Sequence, residues 1–213
     1  MKQLVLAFCA LFFIGSVNAQ DLKTIKLDAP TKTGGETVMA VFNNRKSDRV
    51  FAPEKLKPRD LSNLLWAANG INRPDGKRTA PSCRDFREVD IYVIMQEGAY
   101  VYDAKAHALN PVAAGDHRAA VATNGQDFVK TAPVSLVLVA DLSRFGGEIN
   151  EGTKLMASVD IGIVCQNINI ACAGLGLSTV PRASMDHAVL KNVLKLKDTQ
   201  LLLMNNPVGY PKK

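Results

Sequence analysis

The stretch KLMASVDIGIVCQNINIACAGLGL, residues 154–177, is the most informative part of this 213-residue chain. After Lys154 its only charged residue is Asp160, and the other residues are apolar, small or amide-bearing. This composition predicts a long helix. A helix without a polar, solvated face is typical of a protein core or of a contact between subunits. We therefore expect this helix to be buried, either inside the domain or at a subunit interface.

Helical patterns occur on both sides of this stretch. A helix is predicted over residues 58–69, where Leu61, Leu64, Leu65 and Ala68 follow the i, i+3, i+4, i+7 spacing of an amphipathic helix and Gly70 stands where its C-cap belongs. We also expect a helix that Ser184 caps and that ends at Leu194. Shorter helices are predicted over residues 36–43, 116–121 and 126–130.

Strand patterns are interspersed with these helices. The β-branched and aromatic run 89–96 and the run 99–102 flank a Glu97-Gly98 turn, which predicts a hairpin. Residues 134–140, VSLVLVA, form an apolar run that predicts a central strand. Residues 178–183 are expected to be extended, and 199–204 to form a last strand. Because helices and strands do not alternate as regular βαβ units, the sequence indicates an α+β fold.

The N-terminus predicts export. Residues 1–19 carry one charge, Lys2, followed by an apolar run from Leu4 to Ile14 and by Val17 and Ala19 at cleavage-site positions. The run is shorter than the roughly 20 residues that span a bilayer. We expect a Sec-type signal peptide that is cleaved near Ala19, leaving a periplasmic or secreted protein without a membrane span. Residues 20–35 are interpreted as a linker or N-terminal arm, and 36–213 as the domain.

The positive charge is concentrated in one segment. The chain has 26 Lys and Arg against 20 Asp and Glu, a net charge of +6, and residues 41–87 hold 11 basic and five acidic residues, which accounts for all of it. Such a focused field suits one small anionic ligand, and a nucleic-acid partner is not expected. No metal site is expected either, since cysteines and histidines are scattered.

The basic stretch Arg45-Lys46-Ser47-Asp48-Arg49 is the most promising local cluster. Guanidinium groups beside a hydroxyl can bind a dianionic phosphate through charge-assisted hydrogen bonds. Taken alone, however, the stretch is more readily interpreted as a solvated turn, because exposed charges are common on protein surfaces.

Several strings, taken in order, resemble the FMN-dependent nitroreductase family, and most closely its short branch akin to the azoline-oxidising dehydrogenases of peptide maturation. They are NRKSDRVF (44–51), LSNLLWAANGINRPDGKRTAPSCRD (61–85), AAGD (113–116), QNINIACAGLGLSTVPRA (166–183) and PVGYP (207–211). The resemblance implies a nitroreductase-like α+β fold, with a mainly antiparallel sheet flanked by helices. It also implies an intertwined homodimer with FMN at the subunit interface.

The resemblance assigns the basic stretch to the flavin. Arg45 and Ser47 would hold the FMN phosphate with Lys46 beside them, and Lys212 would add a C-terminal cation. Arg49 would face the pyrimidine edge, where a cation favours the charge that reduction adds.

Three further segments match family contacts with the flavin ring. Pro81, Ser82, Cys83 and Asp85 fall on a loop that would cover the ring from the other subunit, with Asp85 in place of the usual Asn. Asp116 would accept the flavin N3–H. Pro181, Arg182 and Ala183 match a turn whose backbone N–H would point at flavin N5.

The resemblance thus implies an exported FMN-dependent oxidoreductase. It would pass electrons by a ping-pong mechanism from NAD(P)H or another reduced donor to a small acceptor, such as a nitro compound or a quinone. The alternatives are a periplasmic protein that binds flavin without turnover, and an interaction protein that keeps only the fold.

Overall fold

The computed structural model describes residues 22–123 and 125–212, so the expected signal peptide over residues 1–19 lies outside the described chain. Its centre is a seven-stranded sheet with the order β1-β4-β3-β2-β5-β7-β6, in which every neighbouring pair is antiparallel. The strands are β1 (Ile25–Lys26), β2 (Val89–Met95), β3 (Gly98–Asp103), β4 (Ala108–Ala114), β5 (Val134–Asp141), β6 (Ser178–Thr179) and β7 (Gln200–Gly209).

Helices cover both faces of this sheet. They are α1 (Val38–Asn44), α2 (Pro58–Asn69), α3 (Arg118–Val121), α4 (Phe128–Thr131), α5 (Glu151–Gly174) and α6 (His187–Val193). One core cluster joins the sheet to α2 and α5, and a second joins its other face to α3, α4 and α6. Along β5, Leu136 and Leu138 belong to the first cluster, and Val137 and Val139 to the second. Burial on both faces explains the unbroken apolar run, and the α+β prediction is confirmed.

The long helix α5 confirms the main sequence prediction and refines it. Asn150 caps its N-terminus, with Thr153 completing a capping box. The face that includes Ala157, Ile161 and Ile168 is fully buried. The opposite face remains apolar in this single chain but is exposed, with Leu155 at 60% and Val159 at 48% exposure. The helix therefore fills the core with one face only.

By length and hydropathy alone, α5 would also qualify as a membrane span. However, 44% of its most apolar stretch is buried inside the domain, where α5 packs in the same core cluster as the sheet and α2.

Helix α2 matches its predicted bounds, Pro58–Asn69, and ends at Gly70. This glycine is needed for close approach, since a Cβ there would lie 2.6 Å from the Trp66 ring. The cap predicted at Ser184 is wrong: α6 begins at His187, and Asp186 caps it by accepting the Val189 N–H. Residue 184 is still held beside β7, because Asn205 donates to its carbonyl.

The edge strand β1 and its neighbour β4 had no clear sequence signal. β4 contains Pro111, whose ring cannot donate to a ladder, and its register with β3 shifts beside Tyr100. Within the predicted N-terminal arm, Ile25 pairs with Leu109, and Leu27 is buried. The arm is thus partly an edge strand.

Candidate functional site

The basic stretch leaves α1 in an extended conformation and is anchored by Asp48. The Asp48 N–H donates to the Thr179 carbonyl at 2.8 Å, and the Ser178 hydroxyl donates to its carboxylate at 2.9 Å. Burial tends to raise the pKa of Asp48, but hydrogen bonds from the Ser178 hydroxyl and the Val50 N–H, together with the Lys46 charge, outweigh it and lower the pKa. Because side chains alternate along an extended chain, Arg45, Ser47 and Arg49 share the side opposite Asp48.

The residues on that side are free to bind a ligand. Within the described residues, the side chains of Arg45, Ser47 and Arg49 make no hydrogen bond or ion pair, whereas Lys46 lies 3.7 Å from Asp48. A cavity of about 300 Å³ lies beside the stretch, between the C-terminal turn of α5 and β6, and Lys46 forms part of its wall.

The C-terminus lies against the same stretch. Phe51 bridges to Pro211, and the Ala52 N–H donates to the Tyr210 carbonyl at 2.9 Å. Gly209 permits this contact, since a Cβ there would lie 2.9 Å from Pro133 Cδ and 3.2 Å from Phe51 Cβ. Lys212 follows directly and is exposed, one residue beyond the cavity wall.

Arg182 is buried beside this region, with only 6% of its surface exposed. Its guanidinium donates to Gln126 and to Asn205, each at 2.7 Å, and lies 5.7 Å from the Phe128 ring. Its Nη2 is buried and has no partner among the described residues. Burial, and then the positive charge of Arg49, lower the pKa of Arg182.

The backbone of the 181–183 turn shows which of its N–H groups is free to donate to flavin N5, as the resemblance predicts for this turn. Pro181 has no N–H, and the Arg182 N–H is already bonded to the Asn205 carbonyl at 2.9 Å. The Ala183 N–H has no bonded partner in the described part of the chain. Ala183 is therefore the residue of this turn whose donor is free.

Asp116 is held in place by Arg118. The guanidinium donates to both carboxylate oxygens, at 2.9 and 2.6 Å, and also to the Ala132 carbonyl. These bonds hold the pKa of Asp116 below its usual value, so the carboxylate stays charged. Oδ1 also accepts the Arg118 backbone N–H at 3.1 Å, whereas Oδ2 accepts a single bond and keeps a second lone pair, so Asp116 can still accept a bond from a ligand.

The loop that carries Pro81, Ser82, Cys83 and Asp85 lies elsewhere in the chain. The Cys83 N–H donates to Asp160 on α5 at 2.7 Å, whereas the cavity beside the basic stretch is lined by Cys172 on the same helix. Twelve helical residues correspond to roughly 18 Å. A single chain therefore does not bring this loop and the basic stretch together.

Within the loop, Asp85 forms a two-bond pair with Arg87, at 2.9 and 2.5 Å. Arg84, Asp85 and Arg87 all have positive φ angles, of 46°, 59° and 54°. Left-handed conformations are unfavourable for such side chains, so the loop is strained. Strained backbone of this kind tends to cluster at functional sites.

Sequence reasoning missed the buried pair of Glu88 and Asp160. Glu88 is fully buried, and neither carboxylate oxygen has a partner among the described residues. Burial, and then the neighbouring carboxyl group of Asp160, raise the pKa of Glu88 to about 7. The lone charge of Asp160 in the apolar 154–177 stretch was the available signal. Gln126 and Phe128, which hold Arg182, gave no signal.

Comparisons with known proteins agree on one family. The sequence model of the nitroreductase family matches residues 43–210. A Methanocaldococcus jannaschii protein assigned as a nitroreductase is 30% identical over 177 residues, covering 79% of this chain and 88% of that protein. A crystal structure from Ralstonia eutropha, also assigned as a nitroreductase, has a TM-score of 0.83 at 31% identity over 92% of both chains. A nitroreductase family protein from Clostridium novyi shares the fold, with a TM-score of 0.61 at 18% identity over 84% of this chain and 87% of that one.

Proposed function

The chain belongs to the nitroreductase family of flavin-dependent oxidoreductases, and from this we propose that it binds FMN and transfers electrons from a reduced donor to a small acceptor. The observation that carries the proposal is the set of unpartnered donors around one region. These are the free side chains of Arg45, Ser47 and Arg49 and the buried, unbonded Nη2 of Arg182. A buried donor without a partner is unfavourable, and a flavin oxygen or nitrogen would satisfy it.

In this proposal the FMN phosphate binds at the basic stretch. Arg45 offers a planar fork of donors, and Ser47 offers a hydroxyl. Lys46 and Lys212 add positive charge on either side, because the C-terminus lies beside the stretch. The anchoring of Asp48 to β6 keeps the only carboxylate of the stretch turned away.

The flavin ring would then extend toward the 181–183 turn. We assign Arg49 to the pyrimidine edge, Asp116 to the N3–H and the Ala183 N–H to N5. Arg182 supports that turn through its bonds to Asn205. When bound, FMN supplies the two-electron chemistry at N5, and the cation of Arg49 favours the negative charge that reduction adds.

The loop of Pro81, Ser82, Cys83 and Asp85 would reach the flavin of a second subunit, because it lies far from the basic stretch of its own chain. We therefore propose a homodimer. The exposed apolar face of α5, which includes Leu155 and Val159, is the surface we assign to the subunit contact. Apolar surface of this kind is typically covered by a partner.

The donor and acceptor are proposed by class only. The donor is NAD(P)H or another reduced compound, the acceptor is a nitro compound or a quinone, and the two react in turn at one flavin. Export to the periplasm or beyond, after cleavage near Ala19, remains part of the proposal. It requires FMN to be bound outside the cytoplasm.

The test is flavin binding by the purified mature protein. We expect a yellow protein, or one that gains a bound-flavin spectrum when it is incubated with FMN. Arg49→Ala should weaken FMN binding about tenfold or more and lower the flavin potential, since a charge-assisted contact is lost. Arg59→Ala, which removes an exposed arginine from α2, is the matched control and should change neither value.

Two results would contradict the proposal. A mature protein that never acquires a flavin spectrum would exclude FMN binding and leave the alternative of a fold-only interaction protein. A yellow protein that NADH and NADPH fail to bleach anaerobically, and whose chemically reduced flavin is not reoxidised by a nitro compound or a quinone, would favour flavin binding without turnover.

A further inference from the structure

A second cationic site lies at the end of the sheet opposite the β2–β3 turn. It is an open cleft of about 700 Å³ between the start of β2, the end of β3 and the 70–88 loop. Its charged lining residues are Arg78, Arg87, Lys105, Arg144, Asp90 and Asp103. Four positive and two negative charges leave a net charge of +2 around the cleft.

Most of these charges are already paired or bonded. Arg144 donates to Asp90 at 2.5 Å and to the Arg87 carbonyl at 2.6 Å. Arg87 is paired with Asp85 outside the lining. Asp103 accepts the backbone N–H groups of residues 105 and 106, at 2.8 and 3.0 Å. The positive charges without a carboxylate partner among the described residues are therefore those of Arg78 and Lys105, while Asp103 keeps its negative charge.

Arg78 is the central residue of the cleft. Its side chain is half-buried, and no residue within the described ranges accepts a hydrogen bond from its guanidinium or pairs with it. Its backbone is fixed, since residue 78 bridges to Ile71 and its carbonyl accepts a bond from Arg73 at 3.0 Å. A half-buried, unpaired guanidinium on a fixed backbone is suited to bind an anion.

We propose that this cleft binds a small dianion, either a phosphate monoester or a dicarboxylate, through the Arg78 guanidinium and the Lys105 ammonium group. The guanidinium fork matches two oxygens of a phosphate or a carboxylate, and Lys105 at the mouth neutralises the second charge. The site is separate from the FMN phosphate site of the same chain, because it includes Asp90 and Arg144 rather than any residue of the basic stretch. It stands independently of the proposed flavin chemistry.

The test is calorimetric titration of the FMN-saturated mature protein with inorganic phosphate and, separately, with succinate. Bound FMN keeps the basic stretch occupied, and free FMN, which is itself a phosphate monoester, is removed by gel filtration before the titration. We expect saturable binding of one equivalent per chain at low ionic strength, with the tighter of the two probes identifying the ligand chemistry. Arg78→Gln and Lys105→Gln should each weaken binding about tenfold. Arg59→Gln, an equal change of charge outside the cleft, should leave it unchanged.

Further variants separate this site from the flavin site and from misfolding. Arg45→Gln should weaken FMN binding but not the binding of the probe at the cleft, and Arg78→Gln should do the opposite while keeping the wild-type melting temperature. Lys105 is exposed, so its variant tests the cleft even if Arg78→Gln proves unstable. If the mature protein holds no FMN, the same titration of Arg45→Gln alone tests the cleft. Absence of saturable binding, or equal loss in Arg59→Gln, would overturn the proposal.

Discussion

Glu88 is the residue whose surroundings are least suited to its charged side chain. A carboxylate that is fully buried without a donor is costly, and such a group is normally neutral in the folded state. The facing groups are Asp160, whose carboxylate already accepts the Cys83 N–H, and the more distant Arg144. The two carboxyl groups can therefore share one proton beneath the 81–85 loop.

This arrangement predicts a pH-dependent stability. The pKa of Glu88 rises from 4.5 to about 7 on folding, so the folded protein binds the proton more tightly. Protonated Glu88 therefore makes its full contribution to the free energy of unfolding below pH 4.5. This contribution is lost as the pH rises toward 7, and it does not change further above pH 7. By linkage, the loss in the free energy of unfolding is up to about 3 kcal/mol.

Glu88→Gln should remove most of this pH dependence, since an amide imitates the protonated acid and does not titrate. Urea unfolding at a series of pH values, with the exposed Glu54→Gln as control, measures the effect. A wild-type slope retained in Glu88→Gln would show that another group is responsible.

Asp85 offers a second prediction at the residue scale. Asp85→Asn should free Arg87 and add an amide donor to the loop, so we expect FMN to bind several-fold more tightly. Asp75→Asn, an exposed change in the same loop region, is the control for FMN titrations. Weaker binding in Asp85→Asn would mean that the Asp85–Arg87 pair itself positions the loop.

Among the elements, α6 shows how local geometry decides between two sequence signals. Both Ser184 and Asp186 are good caps, but only Asp186 bonds a free N–H of the helix, that of Val189. Asp186→Ala should lower the free energy of unfolding by about 1 kcal/mol. Ser184→Ala should be close to neutral, and denaturant unfolding at a fixed FMN concentration compares them. A larger loss of unfolding free energy in Ser184→Ala than in Asp186→Ala would identify Ser184 as the cap instead.

Helix α5 shows that hydrophobic periodicity could not decide which face of the helix is buried. Its buried positions recur every three or four residues, but Leu155 and Val159 are equally apolar on the other face. The sequence therefore predicted burial without indicating which face is buried by the chain itself. By contrast, α2 has a polar face, and its bounds followed directly from the pattern.

At the scale of the whole molecule, the proposed dimer makes the site complete. Val159→Asp places a charge in the exposed apolar face of α5, and it should yield a monomer that binds FMN much more weakly. Val189→Asp, the same change at an exposed position on α6, should keep the oligomeric state and the FMN affinity of the wild type. Analytical ultracentrifugation with FMN titration measures both. A wild-type monomer, or a Val159→Asp dimer with normal affinity, would contradict the assignment.

The sequence predicted most of the fold from residue patterns, whereas the candidate site residues were assigned through the resemblance to the family. The hairpin around Glu97-Gly98 and the strand 134–140 followed from residue type and spacing alone. Pairing between distant segments did not: Ile25 joins Leu109 across most of the N-terminal half. Likewise, the bonds of Arg182 to Gln126 and Asn205 depend on the folded chain, and no local pattern encodes them.

The position of β7 also governs how the chain can fold. This strand lies between β5 and β6, yet it is the last to be synthesised. Until residue 209 has left the ribosome, or has crossed a membrane if the chain is exported, β5 keeps an open edge that can pair with other chains. Non-local pairing of this kind is slow, and it leaves partly made chains prone to aggregation. A nascent chain that ends before Gln200 is therefore a natural client for chaperones and proteases.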